Sequence, residues 1–282
     1  MRTVLIPTDF SANAMNAIEY ALNLYKNERT DFYILHAYAD EAYETFDKEN
    51  GTLSFNEHTA AIEKNVDASL NELIGTVTNS RRNPKHSFKS LIAFESLVDA
   101  VNDFVDKRNI DLVIMGTQGK TGNKKITFGS YTVQVFKYVR CPVLAIPGDY
   151  VFQQPKKILF PTDYMMPYKR RELKLLNTMA ADFKSEIYCL YISDFETLSN
   201  RQVDNKRFLQ EELSKAYLFF ETTPEGNKAE TILENIAQKN IDLLVMINAR
   251  YSFLESLLYQ STVDQIALHP KIPFLVMQNL PR

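Results

Sequence analysis

Four of the chain's eight glycines fall between Gly116 and Gly129. They follow an apolar run, Ile110 to Met115, that carries only Asp111 as a charge. Glycine lets a backbone approach an anion closely, and the start of a helix presents N–H groups that have no partner within the helix. This segment offers both. Gly116 and Gly119 lie at the end of an apolar strand, and Gly129–Ser130 opens an expected helix. Lys120, Lys124 and Lys125 lie between them. Residues of these types in this order suit a phosphorylated ligand. The plainer readings are a tight turn for the glycines and a solvated charge run for the lysines.

Other nucleotide and hydrolytic chemistries lack their residues. Gly119-Lys120-Thr121 matches the end of a P-loop, but the position of that loop's first glycine is Ile114. The turn after the first strand is Pro7-Thr8-Asp9, with no dinucleotide-binding glycines. Neither a G-x-S-x-G elbow nor an H-E-x-x-H pair occurs. The four histidines, His36, His58, His86 and His269, are scattered and make no metal pair. Two aspartates and a serine near the glycines are too little for a hydrolase, since no histidine is placed to serve a nucleophile.

The elements that must position the glycine loop alternate. A strand at Thr3 to Pro7 precedes a helix from Ala12, with Ser11 as its N-cap and Ala14, Ile18, Ala21, Leu22 and Tyr25 on one face. A strand at Asp31 to Ala37, a helix from Glu57 to Ile74, and a strand at Phe88 to Phe94 follow. Then come a helix with Leu97, Val101, Phe104 and Val105 inward, the strand ending at Met115, a helix from Ser130, and a last strand at Val143 to Pro147. The aromatic and acidic segment from Tyr38 to Asn56 reads by default as a surface loop, with a lid or an interface as the alternatives. Apolar strands alternating with helices predict a parallel sheet covered on both faces. In a doubly wound order 3-2-1-4-5, strands one and four are neighbours, and a ligand crevice lies outside their carboxyl ends. Asp9 and Gly116 then face each other across it. As a non-ligand alternative, Asp9 caps the first helix.

The plan occurs twice. Val4-Leu5-Ile6-Pro7-Thr8-Asp9-Phe10 returns as Ile158-Leu159-Phe160-Pro161-Thr162-Asp163-Tyr164, 154 residues on. Asn109-Ile110-Asp111 returns as Asn240-Ile241-Asp242, 131 residues on, and Cys141-Pro142-Val143-Leu144 as Ile272-Pro273-Phe274-Leu275. The second copy is 23 residues shorter in its middle. Two tandem doubly wound α/β domains are predicted, at 1–148 and 156–282, each with a five-stranded parallel sheet.

These residues resemble the universal stress protein family, in its ATP-binding kind. Gly116, Gly119, Gly129 and Ser130 match that family's G-x2-G-x9-G-[ST] signature without a gap. Pro7-Thr8-Asp9, His36-Ala37 and Arg140-Cys141-Pro142 fit the same family. The resemblance covers the first copy fully and the second more weakly. It implies a site for ATP, with Mg²⁺, formed by Pro7, Thr8, Asp9, Ala37, Met115, Gly116, Gly119, Lys120, Gly129, Ser130, Tyr131 and Thr132. Asp9 would meet the base or ribose and the Ala37 backbone the adenine edge. Gly129 and Ser130 would meet the phosphates, and Thr132 could add a hydroxyl. It also implies pairing of the two copies through their last strands, Val143 to Ile146 and Phe274 to Met277. Whole-chain homodimers and a regulatory protein partner fit the resemblance but are not readable from the residues.

The second copy breaks the motif. Ile247, Arg250 and Gln260 replace Gly116, Gly119 and Gly129, and only Ser261 survives. By the 154-residue offset, Tyr191 takes the place of Ala37. ATP is therefore expected in the first copy only.

Composition agrees with a soluble globular protein, at 45% hydrophobic and 24% charged residues. A net charge of -3 gives no reason to expect nucleic acid. No apolar run approaches a membrane span. Cys141 and Cys189 lie in apolar runs and read as free thiols in a reducing cytoplasm. The expected function is a non-catalytic ATP-binding regulator of the stress response, at most a weak ATPase. A nucleotide-free scaffold is the alternative.

Overall fold

The computed structural model describes residues 1–46, 54–118, 128–195, 197–224, 226–249, 254 and 270–279. The first copy contains β1 (Arg2–Pro7), α1 (Ala12–Leu24), β2 (Thr30–Ala37), α2 (Ala39–Phe46), α3 (Phe55–Ser80), β3 (His86–Ala93), α4 (Leu97–Arg108), β4 (Leu112–Gly116), α5 (Ser130–Tyr138) and β5 (Val143–Ile146). The second contains β6 (Lys157–Pro161), α6 (Arg170–Phe183), β7 (Glu186–Ile192), α7 (Asn200–Glu212), β8 (Tyr217–Thr223), α8 (Lys228–Lys239), β9 (Leu243–Asn248) and β10 (Phe274–Gln278).

The strands are apolar on both faces because both faces are covered. Val4 and Ile6 enter one core with α1, α3, α6 and α7. Leu5 enters the other with α4, α5 and α8. Each core runs through both copies, because all ten strands form one sheet, in the order β3-β2-β1-β4-β5-β10-β9-β6-β7-β8. Each half follows the expected 3-2-1-4-5 order, parallel throughout. The halves meet where β5 and β10 pair antiparallel, with Leu144 opposite Leu275. These two leucines are counterparts in the repeat, so a local two-fold axis passes between them. Each last strand covers the other's exposed edge.

The repeated Asn-Ile-Asp has a local explanation. Asn109 and Asn240 end α4 and α8 in the left-handed conformation, which asparagine tolerates better than most residues. Two residues on, Asp111 accepts from the Thr3 amide and Asp242 from the Lys156 and Lys157 amides. These bonds fix the entry of β1 and β6. Both cysteines are buried free thiols. Burial pushes the Cys189 thiol up to about 12 and Cys141 well above its ordinary range, so neither is a ready nucleophile.

Several expectations need correction. The segment after Tyr38 is not simply a loop: Ala39–Phe46 is a helix, α2, whose Ala42 is fully buried. Rings of Tyr38, Tyr43, Phe46, Phe55 and Phe94 pack together around it. The next helix is longer than expected at both ends: Ser54 and Glu57 form a capping box that starts it at Phe55, and it runs on to Ser80. β3 begins two residues early, at His86. Tyr191 is not the counterpart of Ala37. Pro7 pairs with Leu35 and Pro161 with Leu190, so Tyr191 answers His36 and Ile192 answers Ala37. One extra residue between β6 and β7 shifts the offset.

Candidate functional site

The first wall of the crevice is the turn after β1. Pro7 and Thr8 are buried. Phe10 takes a left-handed backbone, φ 62°, and its amide donates to Thr8 Oγ1 at 3.0 Å. Asp9 Oδ1 accepts from the Ser11 amide at 3.0 Å, and Ser11 Oγ caps α1 through the Ala14 amide. His36 Nδ1 donates to the Thr8 carbonyl at 2.7 Å, and its ring stacks on Phe10. Ala37 ends β2 with its side chain against the core. Asp9 thus has a structural role in the turn, and it is half-buried at the site.

The second wall is the end of β4. Met115 is a core side chain. At Gly116 a Cβ would lie 3.1 Å from the backbone carbonyl of Asn13, so glycine lets α1 close on this strand end. Asn13 Nδ2 then donates to the Gln118 carbonyl at 3.2 Å. Gly119, Lys120, Lys124 and Lys125 lie outside the described residues. The chain returns at Phe128, and the Gly129 amide donates to the Thr117 carbonyl at 2.8 Å. Thr132 is buried and its hydroxyl donates to the Thr117 and Gly116 carbonyls, so that hydroxyl faces the protein. Tyr131 is 45% exposed and donates to Asp40. These bonds bring the start of α5 against the end of β4, beside β1 in the sheet.

Gly129 differs from Gly116. Its backbone is ordinary extended chain (φ -62°, ψ 162°), and a Cβ there would meet nothing closer than 3.7 Å. Nothing in the described protein requires glycine at this position. The residue is the N-cap of α5 and supplies no side-chain acceptor. By contrast Ser11, Ser54, Ser96, Ser199 and Asn227 cap their helices with side-chain oxygens. Among the described residues, no side-chain oxygen caps the first-turn amides of α5, which lie at the positive end of the helix dipole.

The second copy keeps the turn and loses the opening. Tyr164 repeats the left-handed backbone of Phe10, and Thr162 and Asp163 repeat the two turn bonds. Ile247, buried, stands where Gly116 stood. Its side chain fits because α6 starts at Arg170, four residues later than α1 by the repeat. Pro167 delays the helix, since the residue before a proline avoids helical backbone. The buried Tyr168 hydroxyl bonds to the Thr162 hydroxyl and fills that corner. Arg250, Gln260 and Ser261 lie outside the described residues.

Residues beyond the motif also hold α5. Phe128, Phe136 and Phe274 form a ring triad with centroids 5.3 to 5.7 Å apart, joining the end of the glycine loop to β10. At the other end of α5, the Phe136 carbonyl accepts from Asn248 Nδ2 at 2.9 Å and Gln278 Nε2 at 3.0 Å. Helix-terminal carbonyls lack partners of their own. Asn16 Nδ2 donates to the Pro147 and Tyr150 carbonyls and so fixes the chain leaving β5. The spacing of these residues carries no signal. Only their polarity beside apolar strands could have marked Asn248 and Gln278.

Comparison with known proteins agrees with this architecture. The universal stress protein family matches residues 1–147 and again 155–278. Universal stress protein MJ0577 of Methanocaldococcus jannaschii is 28% identical over 158 residues, covering 51% of this chain and 94% of the relative. Universal stress protein MJ0531 of the same organism is 26% identical over 169 residues, covering 55% and 84%. A universal stress protein structure from Archaeoglobus fulgidus superposes with TM-score 0.70 at 15% identity, covering 98% of this chain and 96% of that one. It shares the fold over both halves. With two family segments in one chain and ten strands in one sheet, this protein is a tandem member of the universal stress protein family.

Proposed function

We propose that the chain is an ATP-binding regulatory protein of the stress response, holding one nucleotide, with Mg²⁺, in the crevice of the first copy. One observation carries this reading. α5 is the helix that follows the glycine signature, and its cap is a glycine that the protein's own packing does not require. A ligand phosphate needs both the missing side chain and the open amides. Asp9, Gly116, Gly129 and Ser130 line the same end of β1 and β4. The Ala37 backbone lies one strand over, where the base would sit.

The reading is non-catalytic. His36, the histidine nearest the turn, is buried and committed to the Thr8 carbonyl, away from Ser130. Asp9 is engaged by the Ser11 amide. Neither group is set to activate water at a γ-phosphate, so hydrolysis should be slow and the loaded state is what a partner reads. In the second copy Ile247 and Tyr168 occupy the corresponding space.

The test is Gly129→Asp. The position has the backbone of an N-cap and room for a side chain, so aspartate would cap α5 and leave folding intact. Its carboxylate would take the amides meant for phosphate. Titration calorimetry and native mass spectrometry should show one ATP per wild-type chain and none for the variant. Equal binding by both proteins would overturn the reading. No nucleotide on wild type would favour the scaffold.

A further inference from the structure

The helix α2 belongs to the stretch that only the first copy possesses. Its first turn carries Asp40 and Glu41, and Glu44 follows one turn later, with no basic residue in the helix. Three features anchor it. Ala42 is fully buried beneath it. Thr45 bonds to His58 of α3 at 2.9 Å. The rings of Tyr43 and Phe46 pack on Phe55.

Two contacts reach from this helix toward the crevice. Tyr131, the second residue of α5, donates its hydroxyl to Asp40 Oδ2 at 3.0 Å. The Glu41 carboxylate lies 3.5 Å from His36 Nε2. His36 is buried and its Nδ1 donates to the Thr8 carbonyl, while Nε2 faces Glu41 without a hydrogen bond among the described residues. α2 leaves β2, α5 follows β4, and β1 lies between those strands. The Asp40–Tyr131 bond therefore spans the carboxyl end of β1, where the turn Thr8-Asp9 sits.

The position of Asp40 is unfavourable for an anionic ligand. It accepts from the hydroxyl of Tyr131, the residue next to Ser130, and so lies one side chain's length from the first turn of α5. A carboxylate there stands in for an anion at the positive end of the helix and repels any phosphate that approaches. The field of Asp40 and Glu44 also acts on Tyr131, whose hydroxyl is held above its ordinary range by burial and then by these acids. Among the described residues the second copy has no counterpart of α2, and the buried Ile247 stands in place of Gly116.

We infer that α2 is an autoinhibitory latch: the Asp40–Tyr131 bond holds an acidic helix across the mouth of the crevice and must be displaced by an incoming phosphorylated ligand. This rests on the nucleotide reading above. The latch sets the concentration at which the protein loads, and a partner that pulls Asp40 away would load it at lower nucleotide.

The test is ATP titration of wild type, Asp40→Asn and Tyr131→Phe, without Mg²⁺, at low and high salt. Glu211→Gln, on α7 in the other copy, controls for the change in net charge. Asp40→Asn should bind about three- to ten-fold tighter at low salt, with the gain shrinking at high salt as screening grows. Tyr131→Phe should shift in the same direction and by less, and Glu211→Gln should match wild type. Wild type that binds, with Asp40→Asn unchanged or weaker, overturns the latch and leaves nucleotide binding standing. Weaker binding only when Mg²⁺ is added would make Asp40 a metal-side contact, which also overturns it. Binding by Asp40→Asn alone, with none by wild type, would show the latch at its strongest. No binding by any variant would remove both the latch and the nucleotide reading.

Discussion

The two copies share their strands, their order and the turn after the first strand, yet among the described residues they differ at the end of the neighbouring strand. Phe10 and Tyr164 adopt the same left-handed backbone, and Thr8 and Thr162 accept the same amide. That turn is therefore a device of the fold, and its presence alone does not make a site. The difference lies on the neighbouring strand. Gly116 lets α1 begin against β4, whereas Ile247 is accommodated by unwinding the start of α6. The end of the second copy's sheet makes contacts of its own. Asn248, next to the lost glycine, and Gln278, the last residue of β10, hold the C-terminus of α5, and Phe274 packs on Phe128 and Phe136. The second copy reads as a brace for the helix that the first copy uses.

The comparison can be broken in order of expected effect. Phe274→Ala removes a fully buried ring from the triad and should cost about 3–5 kcal/mol. Urea unfolding followed by two probes, one in each copy, checks this. Both probes should move together because each core spans the seam. Separate transitions would mean that the copies are independent. Ile247→Gly tests whether restoring the glycine restores the site. It should lose about 2–5 kcal/mol of stability and gain no ATP binding, because Pro167 and Tyr168 still shape that corner. ATP on the second copy of this variant, seen by mass spectrometry as a second bound nucleotide, would show that one residue closed the crevice.

Smaller effects sharpen the comparison. Asn248→Leu leaves the Phe136 carbonyl short of a donor and should cost about 1–3 kcal/mol, with a weaker ATP affinity in the distant first copy. Unchanged affinity would limit the brace to stability. Glu172→Gln, in the first turn of α6, should have the smallest effect. Burial raises the carboxyl of Glu172 above its ordinary range. Its neutral form is then favoured in the fold: the contribution is full at acid pH and is lost as pH rises through the raised value. The variant should gain less than about 1 kcal/mol at neutral pH and nothing below the ordinary carboxylate range. Melting curves across that window, crossing in the other direction, would contradict the assignment.

Much of this was legible in the residues, for physical reasons. Near-continuous apolar strands alternating with helices, together with the paired repeats, predict a doubly wound sheet, and the strand ends then place Thr8, Asp9 and Gly116 together. The Ser11 cap was readable because capping is local. What failed depended on tertiary context. α2 escaped because its sequence is acidic and aromatic, with only Ala42 fully buried, so its support comes from α3 and β3 rather than from its own pattern. The Tyr191 correspondence slipped because one inserted residue between β6 and β7 leaves no mark in the motif. Thr132 looked like a ligand hydroxyl by position, and only the return of α5 onto β4 shows where its hydrogen goes. The Asn248–Phe136 bond joins residues 112 apart and has no local signature.

The antiparallel pairing of Leu144 with Leu275 has a further result. It turns the two half-sheets head to tail, so their carboxyl ends lie on opposite margins of the molecule. A pair of identical subunits joined in this way would present the same working face at both ends. Here one end carries the glycine-capped α5 with α2 bonded to it, and the other carries the buried Ile247 and Tyr168. The chain therefore has a direction. On the nucleotide reading proposed above, a protein that responds to loading would approach from the first copy's margin.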